Sequence, residues 1–398
     1  MKIKTITKKT IKKIKTFTII TFGCRVNQAE SRQMGESLTK LGLVQEKNYQ
    51  KANLIIINTC TITHKADREI RKEIRKVKRN NPNCFLIVTG CWADKQKISQ
   101  QQDKKPDNQN LLNQIDLLLT NQQKLNLNYY LKKYLKPEKT KLKPSKDYQD
   151  KYYNSNKAIV KIQDGCNNFC TYCIVPLVRG RSKSKPIKTI LTEIKELERK
   201  KIKEVILTGI DLQDFKTTNK KEQSHLSFLL KQILNQTKIE KISFGSMGLK
   251  IFDDKFLSLY KTKSKRQSKN KKTQPKLTTH FHIPLQSGDN QTLKRMGRNY
   301  TKEEFLKKIK RINKKIKKFT FSTDIIVGFP GETAKEFEQT KKTIKNIKKL
   351  LKKNFKHMHI FRYSQRQGTI ASSQIDKKHW QSVKEKEKAE RLKEIKNF

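Results

Sequence analysis

The chain has 398 residues, a length for which two or three domains are expected. It carries 92 Lys and Arg residues against 36 Asp and Glu residues, which gives a formal net charge of +56. This charge favours a polyanionic partner, with nucleic acid as the first candidate, although a lysine-rich solvated surface is the alternative. The apolar fraction of 34% is low, but a chain of this length still buries a core.

No apolar run reaches the roughly 18 residues of a membrane span, so we expect no membrane association. The basic N-terminal extension, residues 1–15, is followed only by the short apolar stretch "TFTIITFG", which indicates a strand and not a secretory signal. A cytoplasmic location follows from these two exclusions. In a reducing compartment, the seven cysteines are expected to be metal ligands or reactive thiols and not disulfides.

Residues 16–125 alternate apolar runs with helical patterns. The runs are "FTIITFG", "NLIIINTC", "CFLIVTGC" and "QIDLLLTN", separated by helical segments such as "ADREIRKEIRKVKRNNP". Continuous apolar strands that alternate with helices predict an α/β domain with a doubly wound parallel sheet. Cys24, Cys60 and Cys91 each follow a predicted strand, at the edge where such sheets bind ligands. The alternative is that they are ordinary buried cysteines, which is what we expect for Cys84.

A second alternating series runs through residues 156–385. Its six strand candidates are "AIVKIQDGC", "EVILTGIDL", "KISFGSM", "HFHIPLQSG", "FSTDIIVGFPGET" and "HMHIFRYS". This alternation predicts a partial (β/α)6 barrel, with its chemistry at the C-terminal ends of the strands. We interpret the polar residues 126–155 as a linker and the basic stretch 261–278 as a disordered insertion. Residues 386–398 form a basic tail that we expect to be helical.

Three cysteines in the stretch "CNNFCTYC" have C-x3-C-x2-C spacing: Cys166, Cys170 and Cys173. A structural zinc site usually has paired C-x2-C elements and a fourth ligand, and no fourth cysteine is near in the sequence. Disulfides are disfavoured in a reducing compartment. An iron–sulfur cluster held by three thiolates leaves one iron open for a small chelating ligand. This spacing therefore favours an open cluster.

The triplet resembles the cluster motif of radical S-adenosylmethionine enzymes, and Tyr172 matches their usual aromatic residue. The resemblance implies a [4Fe–4S] cluster whose open iron is chelated by the methionyl amine and carboxylate of S-adenosylmethionine. Electron transfer then yields a 5′-deoxyadenosyl radical, so an electron donor such as flavodoxin or ferredoxin is expected. By the same resemblance, Tyr172, Gly209, Gln286, Ser287 and Gly328 would contact the cofactor.

The flanking motifs resemble those of the methylthiotransferases within this superfamily. They include "TFGCRVNQAES", "NTCTIT", "TGC", "CIVPLVRGRSKS", "DIIVGFPGET" and "FRYSQRQGT", and they span almost the whole chain in the family's order. By this resemblance, Cys24, Cys60 and Cys91 would hold a second [4Fe–4S] cluster with one open iron. The form "GCRVNQAES" is similar to that of the tRNA N6-threonylcarbamoyladenosine methylthiotransferases.

The implied reaction is methylthiolation of C2 of N6-threonylcarbamoyladenosine next to the anticodon, with two S-adenosylmethionine molecules and two clusters. The implied partner is the anticodon loop of tRNA, where an unpaired base can be splayed out and stacked. Two alternatives remain open. One is the same chemistry on isopentenyladenosine in tRNA or on a ribosomal-protein aspartate, and the other is a catalytically impaired basic RNA-binding homologue.

Some segments depart from the family pattern. The Glu and Pro that family members often have after the strand "KISFGSM" are missing, and we expect no C-terminal, TRAM-like RNA-binding β-barrel. The lysine-rich tail and the insertion would then supply part of the contact with RNA. Arg179 and Arg181 suit contacts with phosphate or carboxylate, with solvated surface arginine as the alternative. His280 and His282 alternate along a predicted strand, and we do not expect them to be metal ligands.

Overall fold

The computed structural model describes residues 14–101, 109–134, 156–219, 222–260 and 276–398. The chain divides into two compact units, Met1–Asn154 and Ser155–Phe398. Most of the N-terminal extension, residues 135–155 of the expected linker and residues 261–275 of the expected insertion lie outside the described residues. Within the described ranges, none of the helices combines the length and apolar character that crossing a membrane requires.

The described residues of the first unit form a parallel sheet flanked by helices. Its strands are Thr16–Thr21 (β1), Val44–Gln45 (β2), Leu54–Thr59 (β3), Phe85–Gly90 (β4) and Leu117–Leu119 (β5). They are hydrogen-bonded in the order β2-β1-β3-β4-β5. The helices are Arg25–Lys40 (α1), His64–Asn80 (α2), Cys91–Gln101 (α3), Gln109–Leu112 (α4) and Leu127–Tyr134 (α5).

Strand β3 shows why this sheet is covered on both faces. All of its residues are buried, and successive side chains point to opposite faces. Leu54 and Ile56 belong to the core that includes α1, whereas Ile55 and Ile57 belong to the core that includes α2. The doubly wound parallel sheet predicted for this part of the chain is therefore confirmed.

The second unit contains the strands of a partial barrel. Its strands are Lys157–Lys161 (β6), Gln163–Asp164 (β7), Lys183–Ser184 (β8), Glu204–Thr208 (β9), Lys216–Asn219 (β10), Glu222–His225 (β11), Lys241–Phe244 (β12), Lys276–Leu277 (β13), His280–His282 (β14), Thr320–Val327 (β15) and Phe355–Arg362 (β16). The parallel strands β6, β9 and β12 are neighbours, and so are β14, β15 and β16. A parallel bridge between Ser246 and His282 joins the two groups. These are the six strands that the sequence predicts for a partial (β/α)6 barrel, which is confirmed.

Helices separate the barrel strands, and two more follow the last strand. They are Val175–Arg179 (α6), Ile187–Arg199 (α7), Leu226–Gln236 (α8), Asp254–Ser258 (α9), Asn290–Arg295 (α10), Lys302–Lys315 (α11), Ala334–Leu351 (α12), Ile370–Asp376 (α13) and Glu385–Lys396 (α14). Both α11 and α12 begin with a capping box, in which Thr and Glu side chains satisfy backbone amides of the first turn. Local sequence therefore sets where these two helices begin.

The structure differs from the expected domain boundaries at two places. Leu127 and Leu131 of α5 fall in the expected linker, but they pack in the core of the first unit. Helix α14 falls largely in the expected tail, but its residues Lys388, Arg391 and Ile395 are buried in the second unit. In both segments, a few core residues at helical spacing were concealed by a polar composition, rich in lysine and asparagine around α5 and in lysine and glutamate in α14.

Candidate metal centres

The first candidate centre is at the carboxyl edge of the sheet in the first unit. Cys24, Cys60 and Cys91 follow β1, β3 and β4, which are adjacent strands of the sheet. All three strands are parallel, so their carboxyl ends meet at the same edge. Cys60 and Cys91 are buried, and Cys24 is partly buried. The structure therefore brings these three predicted ligands to one edge.

Two glycines keep the turns after these strands close together. Both Gly23 and Gly90 have a φ of +96°, which favours glycine. A Cβ added to Gly23 would lie 2.6 Å from Cys60 Cβ and 3.0 Å from its Sγ. A Cβ added to Gly90 would collide with the carbonyl oxygen of Thr59. Larger residues at either position would push the cysteine-bearing turns apart.

Buried polar side chains of the "GCRVNQAES" motif fasten the same turns. The Asn27 amide donates to the carbonyl oxygens of Phe22 at 2.7 Å and Thr59 at 2.9 Å. The Asn58 amide in turn donates to the Asn27 carbonyl oxygen at 2.9 Å and to Ser31 Oγ at 3.0 Å. In the sequence, Asn27 stands out only as part of this motif. Its contacts show that it also fixes the backbone before Cys24 and Cys60.

A buried ion pair supports this hydrogen-bond network. Lys124 Nζ lies 2.6 Å from Glu30 Oε2, with both side chains almost completely buried, and 3.2 Å from Asn58 Oδ1. Nearby in the sequence, Asn121 points its amide nitrogen at Cys91 Sγ over 3.8 Å. Sequence reasoning missed Lys124 and Asn121, because no spacing links the segment after β5 to the cysteines.

The second candidate centre is the loop 166–173 between β7 and α6. It carries Cys166, Cys170 and Cys173, and the backbone amide of Cys173 donates to the Cys170 carbonyl oxygen at 2.9 Å. The amide and hydroxyl of Thr171 donate to carbonyl oxygens at the end of α10, at 3.1 and 2.7 Å. The loop is thus closed on itself and anchored to the barrel, so its three thiols are held on one short segment.

Gln163 links this loop to the segment after β9. Its amide nitrogen donates to the Gly165 carbonyl oxygen at 2.7 Å, and its amide oxygen accepts from the Asp211 backbone at 2.8 Å. A Cβ added to Gly209 would lie 2.7 Å from Gln163 Oε1. Gly209 therefore lies beside the cysteine loop, and the space that a side chain would need is taken by Gln163.

Two carboxylates face one thiol of the loop. One oxygen each of Asp211 and Asp214 and the sulfur of Cys166 all lie within 4.8 Å of one another. Burial, reinforced by Asp214, raises the pKa of Asp211. Burial also raises the pKa of Cys166 to about 11. Without a bound cation, Cys166 is therefore a neutral thiol at neutral pH, and a metal that takes this ligand must displace a proton.

Arg298 presents a positive charge to the same loop. Its Nη1 lies 3.3 Å from Cys170 Sγ, and its Nε donates to the Tyr300 hydroxyl at 3.0 Å. The Tyr300 hydroxyl donates to the Leu285 carbonyl oxygen at 3.0 Å. Cys170, Arg298 and Tyr300 line one cleft together with Lys250. Sequence reasoning missed Arg298, because the chain separation from Cys170 hides the contact.

Tyr172 anchors the loop through its ring. It packs edge-to-face against Phe329, with the ring centroids 6.2 Å apart, in a cluster that includes Met296 and Tyr363. Burial raises the pKa of Tyr172 well above its usual range, so the phenol is neutral. The structure therefore gives this residue a packing role directly between two cysteines of the loop.

The remaining predicted cofactor residues lie at the ends of β14 and β15. Gln286 has a φ of +70° and is hydrogen-bonded to β15 through its backbone. Ser287 is fully buried, with its hydroxyl 3.2 Å from Thr340 Oγ1 on α12, so it packs against that helix. The space beside Gly328 is filled by the side chain of Lys388. Contacts of these residues with a cofactor stay predictions.

The two arginines of "VRGRS" have different environments. The Arg179 side chain is almost fully buried and pairs with the Asp164 carboxylate at 2.9 Å, so it is not a solvated surface arginine. Arg181 is exposed, and its guanidinium lies 4.1 Å from the ring centroid of Phe169. Cys84 packs in the core beside α2, as expected.

The chemistry of the two donor sets fits iron–sulfur clusters. All seven cysteines are in the thiol form, and each candidate centre contributes three of them. Thiolate sulfur is the usual ligand of these clusters, and three thiolates leave one iron open. The Arg298 guanidinium beside Cys170 Sγ compensates the negative charge that thiolate ligands carry.

Comparisons with known proteins extend over both units. Residues 16–112 match a family model described as uncharacterized protein family UPF0004, and residues 160–344 match the radical SAM superfamily. The chain is 32% identical to threonylcarbamoyladenosine tRNA methylthiotransferase MtaB of Aquifex aeolicus, over 88% of this chain and 81% of the relative. It is 33% identical to tRNA-2-methylthio-N(6)-dimethylallyladenosine synthase of Clostridium botulinum, over 92% of this chain and 78% of the relative.

Solved structures show the same fold. Radical S-adenosylmethionine methyltransferase TsrM of Kitasatospora setae, with cobalamin and a [4Fe–4S] cluster bound, aligns with a TM-score of 0.58 at 11% identity. The alignment covers 92% of this chain and 78% of that chain. The family is shown by the sequence identity of 32% and 33% to the tRNA-modifying relatives, which extends over most of this chain and of each relative. This chain belongs to the radical S-adenosylmethionine tRNA methylthiotransferases, enzymes that use S-adenosylmethionine and iron–sulfur clusters.

Proposed function

We propose that this chain methylthiolates C2 of N6-threonylcarbamoyladenosine next to the anticodon of tRNA. The observation that carries the proposal is the meeting of Cys24, Cys60 and Cys91 at one sheet edge, fastened by Asn27 of the "GCRVNQAES" motif. Three relatives of 32% identity named as threonylcarbamoyladenosine tRNA methylthiotransferases support this choice of nucleoside.

In this proposal, Cys166, Cys170 and Cys173 hold a [4Fe–4S] cluster that binds S-adenosylmethionine at its open iron and supplies the electron for its cleavage. Arg298 keeps its positive charge beside Cys170 and stabilises that ligand as a thiolate. Asp211 lies next to Cys166 and offers carboxylate oxygens that can accept hydrogen bonds from an ammonium group.

Cys24, Cys60 and Cys91 hold the second [4Fe–4S] cluster in this proposal, at which the transferred sulfur is methylated. Their turns contribute rigidity, because Asn27 ties the backbone before Cys24 to the backbone before Cys60. The buried Lys124–Glu30 pair holds α1 against the segment after β5. A ligand set that is already in place binds a cluster without the entropy cost of ordering three turns.

The charge of the chain suits tRNA as the partner. An excess of positive over negative residues, 92 against 36, favours binding to phosphates through counterion release. Such contacts position the RNA and weaken steeply with salt, whereas contacts with the unpaired base itself provide the choice of nucleoside. The reaction also needs an electron donor such as flavodoxin or ferredoxin, and we place the enzyme in the cytoplasm, together with its substrate.

Mass spectrometry of tRNA nucleosides tests this function. A strain that lacks this chain should lose 2-methylthio-N6-threonylcarbamoyladenosine and accumulate the unthiolated nucleoside. Expression of the wild-type chain should restore the modification, whereas the Cys60→Ala variant should not. Unchanged levels of the methylthiolated nucleoside in the deletion strain would contradict the proposal.

A second candidate substrate is the dimethylallyl-type adenosine of tRNA. Relatives named as tRNA-2-methylthio-N(6)-dimethylallyladenosine synthases are 33% identical to this chain, as similar as the threonylcarbamoyladenosine enzymes. The same nucleoside analysis separates the two candidates. Loss of the methylthiolated isopentenyl nucleoside, with the threonylcarbamoyl nucleoside unaffected, would select the second.

A further inference from the structure

Three ligand-type side chains meet on the neighbouring barrel strands β14, β15 and β16. His282, Asp324 and His359 each place one ring nitrogen or carboxylate oxygen within 4.8 Å of the others. Asp324 and His359 are directly paired in the register of β15 and β16. We propose that these three residues bind one divalent transition-metal cation, independently of the cysteine centres and of the nucleoside that the enzyme modifies.

Two of the three ligand atoms already have the spacing that such an ion needs. Two imidazoles and one carboxylate are the ligand set of facial metal sites, which bind first-row cations and keep positions open. Metal bonds of roughly 2.1 Å at right angles place two ligand atoms about 3.0 Å apart. His282 Nε2 and Asp324 Oδ2 are 3.0 Å apart, and the ligand atom of His359 is within 4.8 Å of both.

A neighbouring histidine prepares His359 for this role. His357 Nε2 lies 3.2 Å from His359 Nδ1. The tautomer of His359 that donates from Nδ1 to His357 carries its lone pair on Nε2, as a metal ligand requires. His359 is also exposed, which leaves the site open to ions from solvent.

The donor atoms set the chemical class of the cation. The site offers nitrogen and oxygen without sulfur, so Mn²⁺, Fe²⁺ or Zn²⁺ suits it and the soft Cu⁺ ion does not. Three protein ligands leave positions for water or for an oxygen atom of a further ligand. From the sequence we did not expect His282 to be a ligand, because its partners come from two later strands.

Binding of Mn²⁺ followed by electron paramagnetic resonance tests the site. The probe is Mn²⁺ alone, titrated anaerobically into the full chain with its cysteine centres loaded and oxidised, so that no thiol competes. We expect the wild-type protein to bind one more Mn²⁺ than the His359→Gln variant. We also expect the His357→Gln variant to bind it roughly tenfold more weakly, since the orienting hydrogen bond is lost.

His280 provides the matched control. It lies on the same strand as His282 but hydrogen-bonds to Thr320 and Ser322 and is outside the triad. His280→Gln should bind Mn²⁺ as tightly as the wild type. Because His359 is exposed, its substitution should leave folding intact, and retained cluster absorbance verifies this. Equal Mn²⁺ binding by wild type, His359→Gln and Asp324→Asn, or no binding by the wild type, would overturn the proposal and leave an ordinary His–Asp hydrogen bond.

Discussion

The two thiol triads of this chain are assembled in opposite ways. Cys166, Cys170 and Cys173 lie on a single loop of the second unit, which backbone hydrogen bonds close and anchor. The cysteines of the first unit follow three separate strands: Cys24, Cys60 and Cys91. They share an edge only once β1, β3 and β4 have paired. The first triad therefore depends on one loop, whereas the second depends on a whole sheet.

This difference has a thermodynamic consequence. Ligands that are close in the chain need little loop-closure entropy to meet, whereas ligands on distant turns meet only after long loops have been closed by folding. Under the proposed function, binding of a cluster at the sheet edge should therefore be coupled to the stability of the first unit. Variants that loosen this sheet should lose one cluster selectively, and variants of the loop should lose the other.

Removal of one ligand from either triad should give the largest effect. Cys170→Ala and Cys60→Ala should each lose about half of the iron, as expected for two thiolate-held cubanes. Only Cys170→Ala should abolish anaerobic reductive cleavage of S-adenosylmethionine, measured as 5′-deoxyadenosine by chromatography. Cys84→Ala is the control, because Cys84 packs in the core. Loss of cleavage in Cys60→Ala would contradict this division of roles.

The next largest effect should be on thiol reactivity: Cys166 should react more slowly than an unperturbed thiol. Burial raises the pKa of Cys166 from 9.0 to about 11, so the thiolate fraction at pH 8 is about 100-fold lower than for an unperturbed thiol. In the metal-free protein, alkylation of Cys166 by iodoacetamide should be slower by about that factor. Its rate should rise about tenfold per pH unit towards pH 11, measured by mass spectrometry of the Cys166 peptide. A plateau near pH 9 would contradict the raised pKa.

Asn27→Ala should loosen the sheet edge without touching a cysteine. The substitution leaves the carbonyl oxygens of Phe22 and Thr59 without this donor, which costs about 1–3 kcal/mol in unfolding free energy. Iron at the sheet edge should fall, while cleavage of S-adenosylmethionine should persist. Urea unfolding and iron analysis measure the two effects, with the exposed Asn113→Ala as control. Equal stability of the two variants would argue against this role of Asn27.

Arg298→Met should give the smallest effect, a change in the redox potential of the loop cluster. Loss of a charged donor to Cys170 Sγ should lower the midpoint potential of this one-electron couple by about 65–130 mV, since a hydrogen bond to a charged group contributes about 1.5–3 kcal/mol. A redox titration monitored by electron paramagnetic resonance gives the value. Arg181→Met removes a charge from the exposed surface near the same loop and should leave the potential unchanged.

The sequence was sufficient to predict the parallel sheet, the six barrel strands and the meeting of Cys24, Cys60 and Cys91 at one sheet edge. Apolar strand runs and C-x3-C-x2-C spacing are local features, and local features survive in a one-dimensional pattern. Interactions between distant segments were missed. Arg298 contacts Cys170 although 128 residues separate them in the chain, and Lys124 forms a buried pair with Glu30. In each case the partners lack any fixed spacing.

Some residues were noticed in the sequence, but only the structure gives the physical reason for their identity. Gly328 stands out in its motif, yet the atoms beside it belong to Lys388 of α14. Arg179 resembles a ligand-binding residue, yet it pairs with Asp164 in a buried position. A motif indicates which residue type is required at a position, whereas packing in the folded chain determines which atoms that residue contacts.

The sequence by itself determined the main parallel strands of both units, the spacing of the loop cysteines and the family. Strand and helix periodicity and thiol spacing are properties of short segments, so no folded partner is needed to recognise them. Tertiary structure alone decided which distant side chains meet: Arg298 at Cys170, and His282 with Asp324 and His359. Such contacts arise from the pairing and packing of strands, which are non-local interactions that a linear pattern does not contain.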